Sequence, residues 1–356
     1  MVTEYLQNSL MAMVVIFTLL FIATHYFCTR FLRHFTVAIA SGSMLMALGL
    51  FTADCLQPLG MPLFLMTIIT LQIAALWLYL GLWLLQHYLQ SELPFSRLID
   101  QIHIGTWVAG TAIIASLIEQ VEPLLRGSIV LLTIVGGTLW SVYMIIIAHI
   151  FSTYVHKKFH LPASGALLLG TVSTQSIVLL LQALFKNHMP VIVYQALITL
   201  GFIYYFIGMC LIIRYYSEAK LKHLLASWKT DNVIIYGAAA ISGLALINTQ
   251  AFPDWVVILT WYIALLTFII VAAIDIIRFI LRVNKKGLLK TINVYKASQW
   301  ARIFTLVTLY AFAREYYYAH YAGAGLAHFV FTYGLYVVTL MLIIELIIAG
   351  NQLRGS

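Results

Sequence analysis

The feature that most constrains this sequence is a series of long apolar runs separated by short polar breaks. The runs are each about 20 residues or longer, which is the length that a helix needs to cross the hydrocarbon core of a bilayer. Hydrophobic residues make up 63% of the 356 residues and charged residues only 9%, too few to cover the surface of a soluble protein of this size. The sequence therefore predicts an all-α polytopic membrane protein.

Charges, prolines and asparagines break the sequence into about eleven predicted transmembrane helices. They lie at 8–29, 35–53, 62–88, 102–120, 127–152, 163–185, 190–215, 232–250, 254–281, 294–314 and 327–349. The first run lacks the basic start and the cleavage site of a signal peptide, so we expect it to be retained. The predicted organisation is an extra N-terminal helix (1–30), a ten-helix domain (31–350) and a C-terminal tail (351–356).

Lysine and arginine collect at alternate breaks, which predicts the orientation of the chain. One set of breaks contains Arg30, Arg33, Arg97, Lys157, Lys158, Arg214, Lys220, Lys222, Lys229, Arg278, Arg282, Lys285, Lys286, Lys290, Lys296 and Arg354, and the other contains little beyond Arg126, Lys186 and Arg314. Because cytoplasmic loops carry an excess of Lys and Arg, we expect the N-terminus outside and the C-terminus in the cytoplasm of an inner (plasma) membrane. The net charge of +8 is then loop charge at the bilayer and not a nucleic-acid site.

Small residues alternate with bulky ones along the last ten predicted helices. In the runs that begin near 35, 102, 163, 232 and 294, Gly, Ala, Ser and Thr make up roughly two-fifths of the residues. In the runs that alternate with them, the same residues make up about one-fifth. Small residues allow close helix contact, and bulky aromatic residues are typical of lipid-facing helices. The pattern predicts five hairpins, each with one inner and one outer helix, and a central path. The alternative is that the small residues serve packing alone.

The segment GTVSTQS (170–176) brings polar groups to the middle of one inner helix. The hydroxyls of Thr171, Ser173, Thr174 and Ser176 can bind a passing anion weakly, which conduction requires. We predict that the inner helices line a pore with Gly42, Thr106, Gly110, Thr171, Thr174, Gly237, Ser242 and Thr308.

The five inner segments together resemble one family of membrane proteins. They are FTVAIASGSMLMALGLF (35–51), HIGTWVAGTAIIASLI (103–118), ASGALLLGTVSTQSIVLL (163–180), DNVIIYGAAAISGLALI (231–247) and QWARIFTLVTLYAFA (299–313). In order and spacing they resemble the inner helices of the tellurite-resistance/C4-dicarboxylate transporter (TDT) family, which includes the plant slow anion channels. The resemblance implies ten helices with quasi-five-fold symmetry around a narrow pore, often a homotrimer. It also implies transport of halide and nitrate, or of dicarboxylate, sulfite and similar oxyanions.

A further implication of the resemblance is a gate at Phe304. The family's ninth helix commonly carries W-x-x-x-F, and the matching residues are Trp300 and Phe304, although Thr305 stands where the family often has proline. Independently, Trp300, Phe304 and Thr308 are spaced four residues apart and share one helix face. The alternative for Phe304 is ordinary packing.

Three charged residues fall inside predicted spans, where charge is costly and usually functional. Asp275 and Arg302 lie at similar depth on consecutive helices, and Glu345 lies nearer its helix end. We predict an Asp275–Arg302 ion pair that fastens an inner to an outer helix. The alternative is that Arg302 attracts anions at the inner mouth.

No enzyme motif is evident, so we expect no catalytic residue, no metal and no cofactor. His156 and His160 have helical spacing but lie in a basic loop without an acidic partner. Two other functions stay open beside a passive anion channel. One is a proton-coupled exporter of dicarboxylate or sulfite, with Asp275 or Glu345 as the proton carrier, and the other is a membrane enzyme or assembly factor that transports nothing.

Overall fold

The computed structural model describes residues 2–31, 38–90, 98–156, 163–217, 221–287, 299–321 and 323–355. Within these ranges the chain forms helices, joined by short turns, and no strand. Ten of the helical segments are long and apolar enough to cross a membrane. This is the architecture of a polytopic helical membrane protein.

Twelve α-helices follow one another along the described chain. They are α1 (Val2–Phe31), α2 (Gly42–Phe51), α3 (Leu63–Leu89), α4 (Leu98–Val121), α5 (Arg126–His156), α6 (Leu169–Phe185), α7 (Val191–Ser217), α8 (Leu221–Ser227), α9 (Ile234–Thr249), α10 (Asp254–Lys286), α11 (Trp300–Tyr318) and α12 (Ala324–Gly355). Short 3₁₀ turns lead into three of them: Ile39–Ser41 into α2, Gly165–Leu168 into α6 and Thr230–Val233 into α9. A π-helical turn, Thr52–Leu56, extends α2.

Two of the differences between the structure and the predicted spans involve charged residues. The second span continues to Leu56 and does not end before Asp54, because the Asp54 carboxylate is paired with Arg314 within the protein. The tenth predicted span overlaps α11, which continues to Tyr318 and is not among the ten strongly apolar segments. Its lower apolarity follows from its charged residues, Arg302, Arg314 and Glu315.

Some sequence-based predictions fall outside the described residues. These include the start of the tenth predicted span, His160, and several of the basic residues on which the orientation rests: Arg33, Arg97, Lys157, Lys158, Lys220, Lys290 and Lys296. The orientation of the chain therefore stays a prediction.

The helices fall into buried and exposed classes that follow their residue size. In the small-residue segments around α2, α4, α6 and α9, between 72% and 89% of the most apolar stretch is buried. The same share is 22–33% in α3, α5, α7, α10 and α12. Helix α11 belongs to the first class, since most of its side chains from Trp300 to Tyr316 are buried. We call α2, α4, α6, α9 and α11 the inner helices.

The inner helices pack against one another in cyclic order. Helix α2 contacts α4, α4 contacts α6, α6 contacts α9, α9 contacts α11, and α11 contacts α2 again. We call this arrangement the ring. The exposed helices lie around it: α5 packs on α4, α7 on α6, α10 on α9, and α12 on α11. Helix α1 lies outside the ring against α3, where Gln72 donates a hydrogen bond to Thr24 Oγ1 at 2.7 Å.

All five inner helices run in the same direction. Near their beginnings, Gly42 of α2 lies beside Thr106 of α4, and farther along Gly49 lies beside Ile113. Helices α9 and α11 likewise meet first at Gly237 and Thr305 and later at Gly243 and Phe312. At the start of α6, the amide of Gly165 donates to Asn232 just before α9. The ring therefore has an N-end, where the inner helices begin, and a C-end, where they finish.

We expect Gly42→Ala to destabilise the ring. A β-carbon at position 42 would lie 2.8 Å from the carbonyl carbon of Thr106 and 2.9 Å from the amide nitrogen of Trp107, so the two backbones would have to separate. Such overpacking costs roughly 1–3 kcal/mol. Gly137→Ala in α5 is the matched control, because open space surrounds that position and alanine favours a helix by roughly 0.5–1 kcal/mol. Unfolding of the purified variants in detergent tests this, and equal stability of the two would contradict it.

Candidate functional site

The polar segment at the centre of α6 faces two ways. The hydroxyl of Thr171 donates to the carbonyl of Gly201 on α7 at 3.0 Å, and Gln175 Nε2 donates to the carbonyl of Ile198 at 3.3 Å. The hydroxyl of Thr174 accepts a hydrogen bond from Trp140 Nε1 on α5 at 3.2 Å. These three side chains tie the inner helix to the outer helices, so the hydroxyls of Thr171 and Thr174 are engaged away from the ring interior.

Ser173 and Ser176 lie on the opposite side of the same helix. At about 100° per residue, both side chains point roughly 150° away from the mean direction of Thr171, Thr174 and Gln175, one on each side of the opposite direction. Both are buried, and each hydroxyl donates to a carbonyl of its own helix, Gly170 at 3.1 Å and Val172 at 2.8 Å. They are the hydroxyls that α6 directs toward the ring interior.

The three predicted lining glycines lie at contacts between neighbouring inner helices. Gly42 approaches the backbone of Thr106, Gly110 lies within van der Waals distance of Leu45, and Gly237 lies under the side chain of Thr305. Each therefore sets the spacing of two adjacent helices. Whether their backbones also line a path stays a prediction.

The other predicted lining residues have hydroxyls bonded to their own helices. Thr106 donates to the carbonyl of His103, Ser242 to that of Ala238, and Thr308 to that of Phe304, at 2.7–2.8 Å. All three side chains are buried. Such bonds satisfy the hydroxyl proton and leave the oxygen lone pairs available.

Phe304 points toward the ring interior. On α11, Thr305 contacts α9 and Arg314 contacts α2, the two neighbours of α11 in the ring. Arg302 faces the outer helix α10 and Tyr310 faces α12. The helical repeat places Phe304 midway between the directions of Thr305 and Arg314, opposite the outer helices. Its side chain is 1% exposed, so the interior is closed at this level.

The predicted partners Asp275 and Arg302 lie together near the N-end. Arg302 Nη2 is 3.6 Å from Asp275 Oδ2, and Arg278 Nη1 is 4.0 Å from Asp275 Oδ1. Trp228 Nε1 donates to Asp275 Oδ1 at 3.1 Å. Glu345 of α12, the third predicted charge, is buried.

We expect Asp275→Asn to lower the free energy of unfolding by roughly 1 kcal/mol, because both partners are partly exposed. A double-mutant cycle with Arg302→Gln measures the coupling between the two side chains. Unaltered stability together with a changed preference among anions would instead favour the role of Arg302 as an anion attractor.

The N-end also contains a polar contact that the sequence did not predict. His103 Nε2 on α4 lies 3.7 Å from Asp231 Oδ2 in the turn before α9, and the side chains are only 12% and 10% exposed. The adjacent Asn232 accepts a hydrogen bond from the amide of Gly165 at 2.8 Å and donates one to Tyr216 Oη at 2.9 Å. The turn before α9 is thereby fixed against the turn before α6.

A second unpredicted group lies at the C-end. Arg314 of α11 donates to the backbone carbonyl and to the carboxylate of Asp54 in the π-helical turn of α2, each at 2.9 Å. The same guanidinium donates to Glu315 Oε1 at 2.9 and 3.1 Å. These bonds join the last inner helix to the first and so close the ring. The sequence alone predicts a span that ends before Asp54 and places Arg314 among the loop charges. Their contact could not be predicted because only the fold brings residues 260 positions apart together.

The interior between the two ends has hydroxyls but no fixed charge. Stretches 40–53, 104–118, 163–185, 234–249 and 303–313 of the inner helices contain no Asp, Glu, Lys or Arg. In the part of the chain that the structure describes, no three His, Cys, Asp or Glu side chains are placed to hold a metal ion. The chemistry on offer is weak hydrogen bonding in a closed, low-dielectric space.

No protein-family model matches this sequence, and no curated protein matches it either.

Proposed function

We propose that the protein moves small anions across the membrane through the interior of the ring. The observation that carries the proposal is the closed ring of five parallel, buried, small-residue helices surrounded by bulky exposed ones. Between the two ends the inner helices carry no Asp, Glu, Lys or Arg, and α6 turns Ser173 and Ser176 away from the outer helices. Within this proposal the ring and its outer helices form five hairpins with quasi-five-fold symmetry, as in the TDT family that the sequence resembles.

The parallel arrangement supports selection of anions. Each inner helix directs the positive end of its dipole toward the N-end, where unpaired backbone N–H groups concentrate. Transporters use such helix N-termini to face anionic groups within the membrane. Between the ends, the hydroxyls of Ser173 and Ser176 can donate to an anion only by turning away from the carbonyls of Gly170 and Val172 that they bond in this structure. Because each such exchange gives up one hydrogen bond for another, the net attraction is too weak to trap the anion.

Phe304 is the gate of the proposed conduit, which is closed at the level of this side chain. The phenyl group of Phe304 is buried and directed inward. An anion at that level would lose its hydration without gaining a polar partner. Opening requires Phe304 to leave the interior. The N-end faces the cytoplasm under the predicted orientation, and the resemblance supports a homotrimer in the inner membrane.

Flux in proteoliposomes tests the proposal. The purified protein is reconstituted, and the uptake of chloride, nitrate, sulfite and malate is compared with that of potassium and with protein-free vesicles. We expect at least one of the anions to enter faster than in protein-free vesicles, with no change for potassium. A folded, reconstituted protein that moves none of the four anions would contradict the proposal.

One observation favours proton-coupled export of an oxyanion as a second candidate. Glu345 is buried on α12, and its Oε1 has no hydrogen-bond partner among the described residues. A buried carboxyl group of this kind can carry a proton. A coupled transporter would accumulate the anion against its gradient when a pH gradient is imposed, whereas a passive conduit would not.

A further inference from the structure

The contact between His103 and Asp231 joins two inner helices that are not neighbours. His103 belongs to α4 and Asp231 to the turn that begins α9, while the order of the ring places α6 between them. The bridge therefore passes over the beginning of α6 at the N-end. It is a contact that would have to break if α4 and α9 moved apart.

The position of Asp231 is fixed by its surroundings. A β-carbon at Gly165 would collide with the carbonyl oxygen of Asp231, so the two turns lie backbone against backbone. Asn232 is bonded on both sides, to Gly165 and to Tyr216. The backbone of Asp231 consequently cannot move away from α6 without moving the whole turn.

The carboxylate of Asp231 is incompletely satisfied. Asp231 is buried, and its Oδ1 atom has no hydrogen-bond partner among the described residues. The same holds for Oδ2 of Asp100, one turn before His103 on α4. Buried carboxylate oxygens without donors are costly, and a nearby positive charge offsets that cost.

We propose that His103 and Asp231 form a proton-binding site that holds the N-end of the ring closed. A proton on His103 places a positive charge 3.7 Å from Asp231 Oδ2, which favours the closed arrangement. Loss of the proton removes that attraction and leaves a buried carboxylate, which favours separation of α4 from α9. Low pH therefore closes the ring and higher pH opens it. As a statement about gating, the inference rests on the proposed function; as a statement about proton binding, it does not.

Other titratable groups also lie near this end, among them Glu345 on α12, so the variants of His103 and Asp231 are needed to isolate the contribution of this pair. Asp100 lies on α4 itself, Tyr143 on α5 donates to the carbonyl of Ile102, and Tyr216 on α7 is bonded to Asn232. Tyr236 on α9 accepts a hydrogen bond from Thr305, and the group of Asp275, Arg278 and Arg302 lies on α10 and α11. Histidine is the side chain that ordinarily titrates between pH 5 and 8.

The first test measures thermal stability of the full chain in detergent between pH 5.5 and 7.5. The native protein should lose about 2 °C more in Tm over this range than His103→Gln, because a favourable charge pair disappears as the pH rises. Asp231→Asn keeps the histidine but removes its partner, and should also flatten the dependence. The control is His149→Gln on the exposed side of α5, which should behave like the native protein. A native-like pH dependence in both site variants would overturn the proposal.

The second test measures anion flux at the same pH values. Flux through the native protein should rise about fivefold or more from pH 5.5 to 7.5, and flux through His103→Gln should not depend on pH. If the Tm values differ with pH as expected but neither the native protein nor His103→Gln moves an anion, transport is refuted and the proton-binding site is supported. If anion flux is measured but the pH dependence of Tm is the same in the native protein and in both site variants, the proton-binding site is refuted and transport is supported.

Discussion

Replacement of Phe304 by alanine is expected to raise anion flux by at least about tenfold, which corresponds to a barrier lower by about 1.4 kcal/mol. The phenyl ring of Phe304 is buried and points toward the interior of the ring of helices, so its removal leaves space at that level of the proposed conduit. An anion stripped of water in an apolar constriction pays several kcal/mol, and room for hydration water lowers that cost. The measurement is uptake of the most permeable anion into proteoliposomes.

The matched control is Phe312→Ala, two turns along the same helix. Phe312 is also fully buried, but it packs between Gly243 of α9 and Trp261 of α10. Either truncation in the core costs about 3–5 kcal/mol of stability, so the two variants differ mainly in the direction of the removed ring. Flux that is unchanged in Phe304→Ala, or raised equally in both variants, would show that Phe304 is a packing residue.

Replacement of Arg314 by methionine is expected to lower the free energy of unfolding by about 3–5 kcal/mol. The guanidinium makes four hydrogen bonds to Asp54 and Glu315, and it is 18% exposed. Its loss leaves the Asp54 carboxylate, which is 19% exposed, and the Glu315 carboxylate, which is 34% exposed, without their shared cation at the point where α11 meets α2. Unfolding by a denaturing detergent, followed by circular dichroism, measures the change.

Two further variants separate the loss of this contact from the loss of a charge. Arg282→Met removes an exposed arginine from α10 and should change stability by less than about 1 kcal/mol. The triple variant Asp54→Asn, Arg314→Met, Glu315→Gln removes the unpaired charges together and should recover much of the loss. A loss in Arg314→Met no larger than that in Arg282→Met would mean that this group does not hold α2 to α11.

The helices and their division into inner and outer classes could be predicted from the sequence. Long apolar runs interrupted by charges indicate segments of the length that spans a membrane. The size of the residues in each run indicates how closely another helix can approach. Gly42 and Gly237 illustrate the point, since each stands where a neighbouring inner helix leaves no room for a β-carbon. The alternation of small-residue and bulky helices is repeated along the chain, so it can be recognised even where the predicted end of a single helix is off by several residues.

The direction of individual polar side chains could not be predicted with the same success. Composition put Thr171, Ser173, Thr174 and Ser176 in one segment, but only the positions of α5 and α7 separate the outward threonines from the inward serines. Contacts between distant residues were missed for a different reason. Asp54 with Arg314, and His103 with Asp231, depend on the closure of the ring, and no local sequence pattern reports it.

The most direct test of the central claim, that the ring interior carries the anion, is the accessibility of single cysteines on α6. In a Phe304→Ala background that lacks the three native cysteines, Ser176→Cys faces the interior and Thr174→Cys faces α5. We predict that an anionic, membrane-impermeant thiol reagent modifies Ser176→Cys and blocks flux, and leaves flux through Thr174→Cys unchanged. Equal sensitivity of both variants, or flux that persists after Ser176→Cys is fully modified, would contradict a path through the ring.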